Sequence, residues 1–212
     1  MIHAYDKTYL ERARNSFGIM LDFAVNELQF DLSKFWLMFF QSDICKLFEH
    51  GDPKVLAGMS GIEMTYAVAG DSFRSEKPAN TMTRSEEYWL GWALAYYQWY
   101  TDLSFSEITE IASIEDIRKL YSPYHEMDIR HFCDKMNEMY AKKNTTTNLK
   151  KLRLAAGMSQ SELSETAEVP LRTIQQYEQR QKNINKAQTE TVLKLADALF
   201  CRPIDLMEKV VV

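Results

Sequence analysis

An all-α fold in two parts is what this chain predicts, and three observations carry that reading. Apolar residues recur at three- and four-residue steps through long segments, the spacing of one helix face. Only 7 Gly and 5 Pro occur in 212 residues, too few for a turn-rich β-sandwich. A polar break, KKNTTTN at residues 142–148, separates two stretches of opposite charge. Residues 1–145 carry 15 basic and 22 acidic side chains, a net of −7, while residues 146–212 carry 10 and 8, a net of +2. The predicted division is 1–143, an acidic, aromatic-rich helical domain for dimerisation, sensing or partner binding, and 144–212, a smaller aliphatic domain.

In the first part Leu10, Ala13, Phe17, Met20/Leu21, Ala24 and Leu28 form one apolar stripe. A second apolar helix over residues 31–51 is expected to bend near Gln41-Ser42 and to stop at Gly51, and Asp52-Pro53 has the form of a helix start. Capping boxes, in which a Ser or Thr hydroxyl and a Glu three residues on satisfy each other's amides, are expected at Ser60…Glu63, Thr83…Glu86 and Ser104…Glu107. This punctuation implies six to eight helices, the last running from about Pro123 to Lys142, with a long loop over residues 71–83.

The stretch TRSEEYWLGWALAYYQWY places Trp89, Trp92, Tyr96 and Tyr100 on one broad helix face, with Tyr88 and Trp99 off it. Aromatics surround most of this helix, which reads first as a central core helix. The functional alternative is an aromatic surface for a partner or pocket, built from Trp89, Trp92, Tyr96 and Tyr100.

In the second part Asn148–Ala156 forms a helix with Leu149, Leu152 and Ala156 inward, ended by Gly157. Ser159 and Glu162 make a capping box for a second helix that buries Leu163 and Ala167. Glu168-Val169 is the turn, and Pro170 opens a third helix held by Ile174 and Tyr177. After the loop RQKNINKAQ, Val192, Leu195, Ala196 and Leu199 line a fourth helix, and PIDLME supplies Ile204 and Leu206 from a short fifth.

The residues LKKLRLAAGMSQSELSETAEVPLRTIQQYEQ and KNINKAQTETVLKLADALFCRPIDLME carry this five-helix pattern, which resembles the Cro/CI-type (XRE-family) helix-turn-helix of phage repressors and bacterial regulators. Two departures are Pro170, where many members have Ser or Thr, and Phe200, where Gly usually ends the fourth helix. The resemblance implies a lambda-repressor-like fold whose third helix enters the DNA major groove, and a homodimer on half-sites about one helical turn apart. It places Leu171, Arg172, Gln175 and Gln176 toward base edges and Gln160, Thr173, Arg180, Lys182 and Asn183 toward phosphates. Arg can span O6 and N7 of guanine, Gln can span N6 and N7 of adenine, and Leu171 offers apolar surface to a thymine methyl.

Enzyme chemistry finds no frame. His125, Asp128, His131 and Cys133 lie close in sequence, but at helical spacing His131 and Cys133 diverge, with no HExxH or CxxC pattern. Glu86, Glu87, Glu126 and Asp128 are explained as capping and surface charge. No Gly-rich phosphate loop or nucleophile elbow occurs, so no catalytic residue, metal or cofactor is assigned. Three scattered cysteines, no basic-then-apolar N-terminal run and no apolar stretch of about 20 residues point to a cytoplasmic protein, and the resemblance implies a bacterial one, at the nucleoid through its DNA. The expected function is a transcriptional regulator, in first place a repressor. The alternative is an antitoxin-like protein whose acidic half neutralises a partner protein while the basic half autoregulates the operon.

Overall fold

The computed structural model describes residues 3–73 and 85–210. Every regular element among them is helical, and the chain forms two compact units, Met1–Met139 and Tyr140–Val212.

The first unit contains α1 (Leu10–Asp22), α2 (Leu32–Gln41), α3 (Asp43–Glu49), α4 (Pro53–Leu56), α5 (Gly61–Ala69), α6 (Glu86–Thr101), α7 (Phe105–Ile111), α8 (Ile114–Arg118), α9 (Tyr121–Tyr124) and most of α10 (Ile129–Lys143). The expected apolar stripe is α1: Leu10, Ala13, Phe17, Met20 and Leu21 are buried, as is Ala24 in the π-helical turn Phe23–Glu27 that follows, while Leu28 is half-buried. The expected bend at Ser42 is a full break, because the Ser42 hydroxyl accepts the Cys45 amide and starts a new helix, α3. Asp52 caps α4, with Pro53 at its first position. Both reciprocal bonds of the boxes Ser60/Glu63 and Ser104/Glu107 are formed. Thr83 and most of the expected loop lie outside the described residues; the cap observed for α6 is Ser85, whose hydroxyl accepts the Tyr88 amide. The predicted helix from Pro123 is instead divided. α9 ends at Tyr124, and Asp128 restarts the chain as α10 by accepting the Arg130 amide at 3.0 Å.

The core gathers Phe17, Trp36, Phe39, Phe48 and Phe105 in edge-on and stacked contacts with ring centroids 4.8–6.3 Å apart. α1 and α6 pack closely because Gly18 and Gly91 face each other. A Cβ at Gly91 would lie 2.6 Å from the Phe17 carbonyl and 2.9 Å from the Gly18 Cα.

The second unit carries α11 (Asn148–Ala155), α12 (Gln160–Ala167), α13 (Leu171–Glu178), α14 (Thr189–Ala198) and two 3₁₀ turns, Ile184–Lys186 and Pro203–Leu206. Its core includes Leu149, Leu163, Val169, Ile174, Tyr177, Ile184, Val192, Leu195, Leu199 and Leu206, a set that is aliphatic apart from Tyr177. Two inward assignments are corrected. Ala156 is exposed because α11 stops one residue earlier, and Arg153, one turn after Leu149, takes the inner position. Ile204 is 48% exposed, since a 3₁₀ turn does not bring residues two apart onto one face.

A candidate nucleic-acid interface

α13 is the element on which DNA reading is expected, and its mounting explains which side chains are left outside. Pro170 is the residue before the first helical position, extended at φ −53° and ψ 132°, and its carbonyl accepts the amides of Thr173 and Ile174. Glu168 sits in the left-handed region at φ 52°, which reverses the chain between α12 and α13. The Ser164 hydroxyl donates to the Val169 carbonyl at 2.7 Å and fixes the turn from inside. Ser159 and Glu162 complete their capping box at the start of α12; two hydrogen bonds from Ser159 hold the Glu162 carboxyl below its ordinary pKa.

Ile174, Tyr177 and Glu178 face inward, leaving Leu171 (36% exposed) and Arg172 outside, with Thr173, Gln175 and Gln176 half-buried at the edges. Lys182 is exposed and Asn183 half-buried in the loop after the helix; the Lys182 amide donates to the Gln176 carbonyl at 3.1 Å. Asn183 uses its carboxamide oxygen to accept the Asn185 amide at 2.9 Å.

Beneath α13 lies a polar network that the sequence pattern did not announce. Arg153 reaches from α11 to Glu178 through two parallel bonds, Nε at 2.6 Å and Nη2 at 3.0 Å, and its Nη1 donates to the Met158 carbonyl at 2.6 Å. Gln160 adds its side-chain amide to Glu178 at 2.7 Å. Burial alone would raise the Glu178 pKa, but the bonds from Arg153 and Gln160 outweigh it and hold the carboxyl below its ordinary value. Arg153 is correspondingly pushed up by the Glu178 bond. Both charges are nearly covered, so each depends on the other. A pairing 25 residues apart has no local signature in the sequence. Gln160, expected at a phosphate, thus spends one amide hydrogen inside the domain. Arg180 is likewise engaged within the domain: its guanidinium donates to the Asn144 carbonyl at 3.0 Å and lies 3.7 Å from Glu208.

In the first unit, the expected aromatic face needs one exchange. Trp89 is buried against Tyr121 and Phe132, whereas Tyr88, Trp92, Tyr96 and Tyr100 form a half-exposed stripe at four-residue steps. Arg14 of α1 lies under that stripe, 3.4 Å from the Trp92 ring centroid and 4.8 Å from that of Tyr96. Burial pulls its pKa down, against a bond to Glu11 at 2.8 Å. Beyond this stripe and the exposed Glu86 at its start, α6 is buried. Cys133 is buried and its thiol pushed up to about 12 by burial, so it is an inert side chain. His125 stacks on Tyr121, and Asp128 pairs with Arg130. Among the described residues no three His, Cys, Asp or Glu side chains gather as a metal site. No helix among them is long and apolar enough to cross a membrane.

Comparison with known proteins bears on the second unit alone. No curated protein matches the chain, and no solved structure does. Residues 149–206 match a family model, the helix-turn-helix, which describes DNA-binding regulatory domains and not enzymes. The segment that folds as α11 to the last 3₁₀ turn is therefore a helix-turn-helix domain of the Cro/CI (XRE) type, and it supports a DNA-binding transcription regulator.

Proposed function

We propose that this chain is a sequence-specific repressor that binds operator DNA as a homodimer, with α13 in the major groove. One observation carries the reading. α13 is anchored from below by Ile174, Tyr177 and the Arg153–Glu178 pair, while Leu171 and Arg172 stand clear on its outer side. A rigid helix with an exposed guanidinium meets the geometry of bidentate guanine recognition, worth about 1–3 kcal/mol of discrimination. Gln175 and Gln176 flank it as further base contacts. Thr173, Lys182, Asn183 and the start of α12 at Gln160 are the phosphate contacts of this proposal. The test is selection of bound duplexes from a random pool, followed by mobility shift on the chain's own promoter. A recovered pseudo-palindrome with half-sites one turn apart supports the reading; recovery of no common sequence sinks it.

The antitoxin-like reading has its own support in the acidic net charge of residues 1–145 and in the half-exposed stripe of Tyr88, Trp92, Tyr96 and Tyr100. Tyr, Trp and Arg are the residue types that dominate interface hot spots. On this reading the product of an adjacent gene is basic and co-purifies with the full chain. Trp92→Ala then breaks that complex while leaving operator binding intact.

A further inference from the structure

The contacts of Arg180 lead to a second role for the ends of the domain, one that rests on the DNA-binding reading above. Arg180 follows α13 at φ 57°, a left-handed conformation that favours Gly or Asn. An Arg placed there is costly to the backbone. Its Nη2 donates to the Asn144 carbonyl at 3.0 Å, and its Nη1 lies 3.7 Å from Glu208 Oε2. Glu208 is tied from two more sides. Its Oε1 accepts the Asn148 amide at 2.7 Å, and Asn185 clasps its backbone, accepting the Glu208 amide at 2.9 Å and donating to its carbonyl at 2.6 Å. Asn148 also donates to the Met207 carbonyl at 2.7 Å, and Val210 is buried behind them. Residues 144–148 and 207–210 thus close as a belt around the loop 180–185. Asn144 and Glu208 both fall outside residues 149–206, the span that the family model matches.

We infer that Arg180 and Glu208 are positioning residues for DNA binding, which hold the loop in the shape that presents Lys182 and Asn183 to the phosphate backbone. A carboxylate beside a DNA-contacting loop opposes phosphate by charge alone. Its place here follows if it shapes the loop more than it repels the ligand.

The experiment measures operator affinity of the full chain against salt concentration for the wild type, Lys182→Ala, Arg180→Gly, Glu208→Gln, Glu208→Ala and the double variants Glu208→Ala/Lys182→Ala and Arg180→Gly/Lys182→Ala. Glu208→Ala is expected to weaken binding about fivefold near 0.15 M salt, the size of one lost phosphate contact, and to flatten the salt slope as Lys182→Ala does. Adding Lys182→Ala to Glu208→Ala then changes nothing further. Glu208→Gln, which keeps an acceptor for the Asn148 amide, loses less. Arg180→Gly relieves the left-handed backbone, so it melts no lower than the wild type and yet binds more weakly. Tighter binding by Glu208→Ala and Glu208→Gln overturns the inference, since that is the signature of a repelling charge. Additive slope losses for Arg180→Gly and Lys182→Ala overturn it too, because Arg180 would then be touching phosphate itself. A wild-type chain that binds no duplex removes the DNA-binding reading and this inference together, whereas a wild type that binds isolates the inference.

Discussion

Glu178 concentrates the residue-scale physics of the second unit. Its carboxyl is held below the ordinary value of 4.5, so it stabilises the fold fully above that pH and loses its contribution as pH falls through the depressed folded value. The stability of the wild type is therefore expected to drop more steeply than that of Glu178→Gln as pH falls below the ordinary carboxyl value of 4.5, as followed by urea unfolding at each pH. At neutral pH Glu178→Ala leaves Arg153 buried without its partner and costs about 3 kcal/mol or more. If Glu178→Gln and the wild type lose stability in parallel on acidification, the pair is not the anchor described. Single residues were legible where periodicity speaks for them: Leu163, Ile174 and Leu195 are core, as their spacing requires. The pairings of Arg153, Arg180 and Glu208 were not, because nothing local in the sequence marks a charged side chain whose partner is 25 or more residues away.

At the scale of elements, helix starts were the most readable feature. Ser60, Ser104 and Ser159 close their boxes because the signal is local, four residues reporting on one another. Which side of α6 faces out was less readable, since all its sides are aromatic and only the neighbouring helices decide. Trp89 is buried and Tyr88 half-buried, with α1 packed against Gly91. Gly91→Ala should destabilise the chain despite the better helix propensity of Ala, worth about 1 kcal/mol. The added methyl meets backbone of α1 at 2.6 Å, and a thermal melt that rises instead would contradict this crossing. The end of α14 supplies the opposite case. Phe200 stands at φ 52° with 94% of its surface exposed, and the Cys201 amide closes the turn on the Ala196 carbonyl at 3.0 Å. Phe200→Gly keeps that turn and removes the left-handed penalty of about 1 kcal/mol, so it should raise the melting temperature of the second unit by a few degrees. An unchanged or lower melt would mean that the exposed ring has a partner within the fold.

Across the whole molecule, charge is divided along with labour. The acidic total belongs to residues 1–145, and the mildly basic remainder suits specific contact more than strong non-specific adhesion to DNA. The order of α11 to α14 in the second unit was legible from their apolar spacing, while the expected fifth helix is a 3₁₀ turn. The task of the first unit was not, since its surface stripe of Tyr88, Trp92, Tyr96 and Tyr100 states a chemistry without naming what covers it. If the chain works as a dimer on two half-sites, inserting about 5 base pairs between them turns one half-site to the far side of the duplex and should cut affinity sharply. Equal affinity for both spacings would mean that a single domain binds alone. The most direct measurement of the central claim is the affinity of wild type and Arg172→Ala for an operator series substituted one base pair at a time. The account predicts that the wild type discriminates by about 1–3 kcal/mol at one guanine per half-site and that Arg172→Ala loses that preference alone, with its salt slope unchanged. Identical base preferences for the two proteins would contradict α13 as the reading helix.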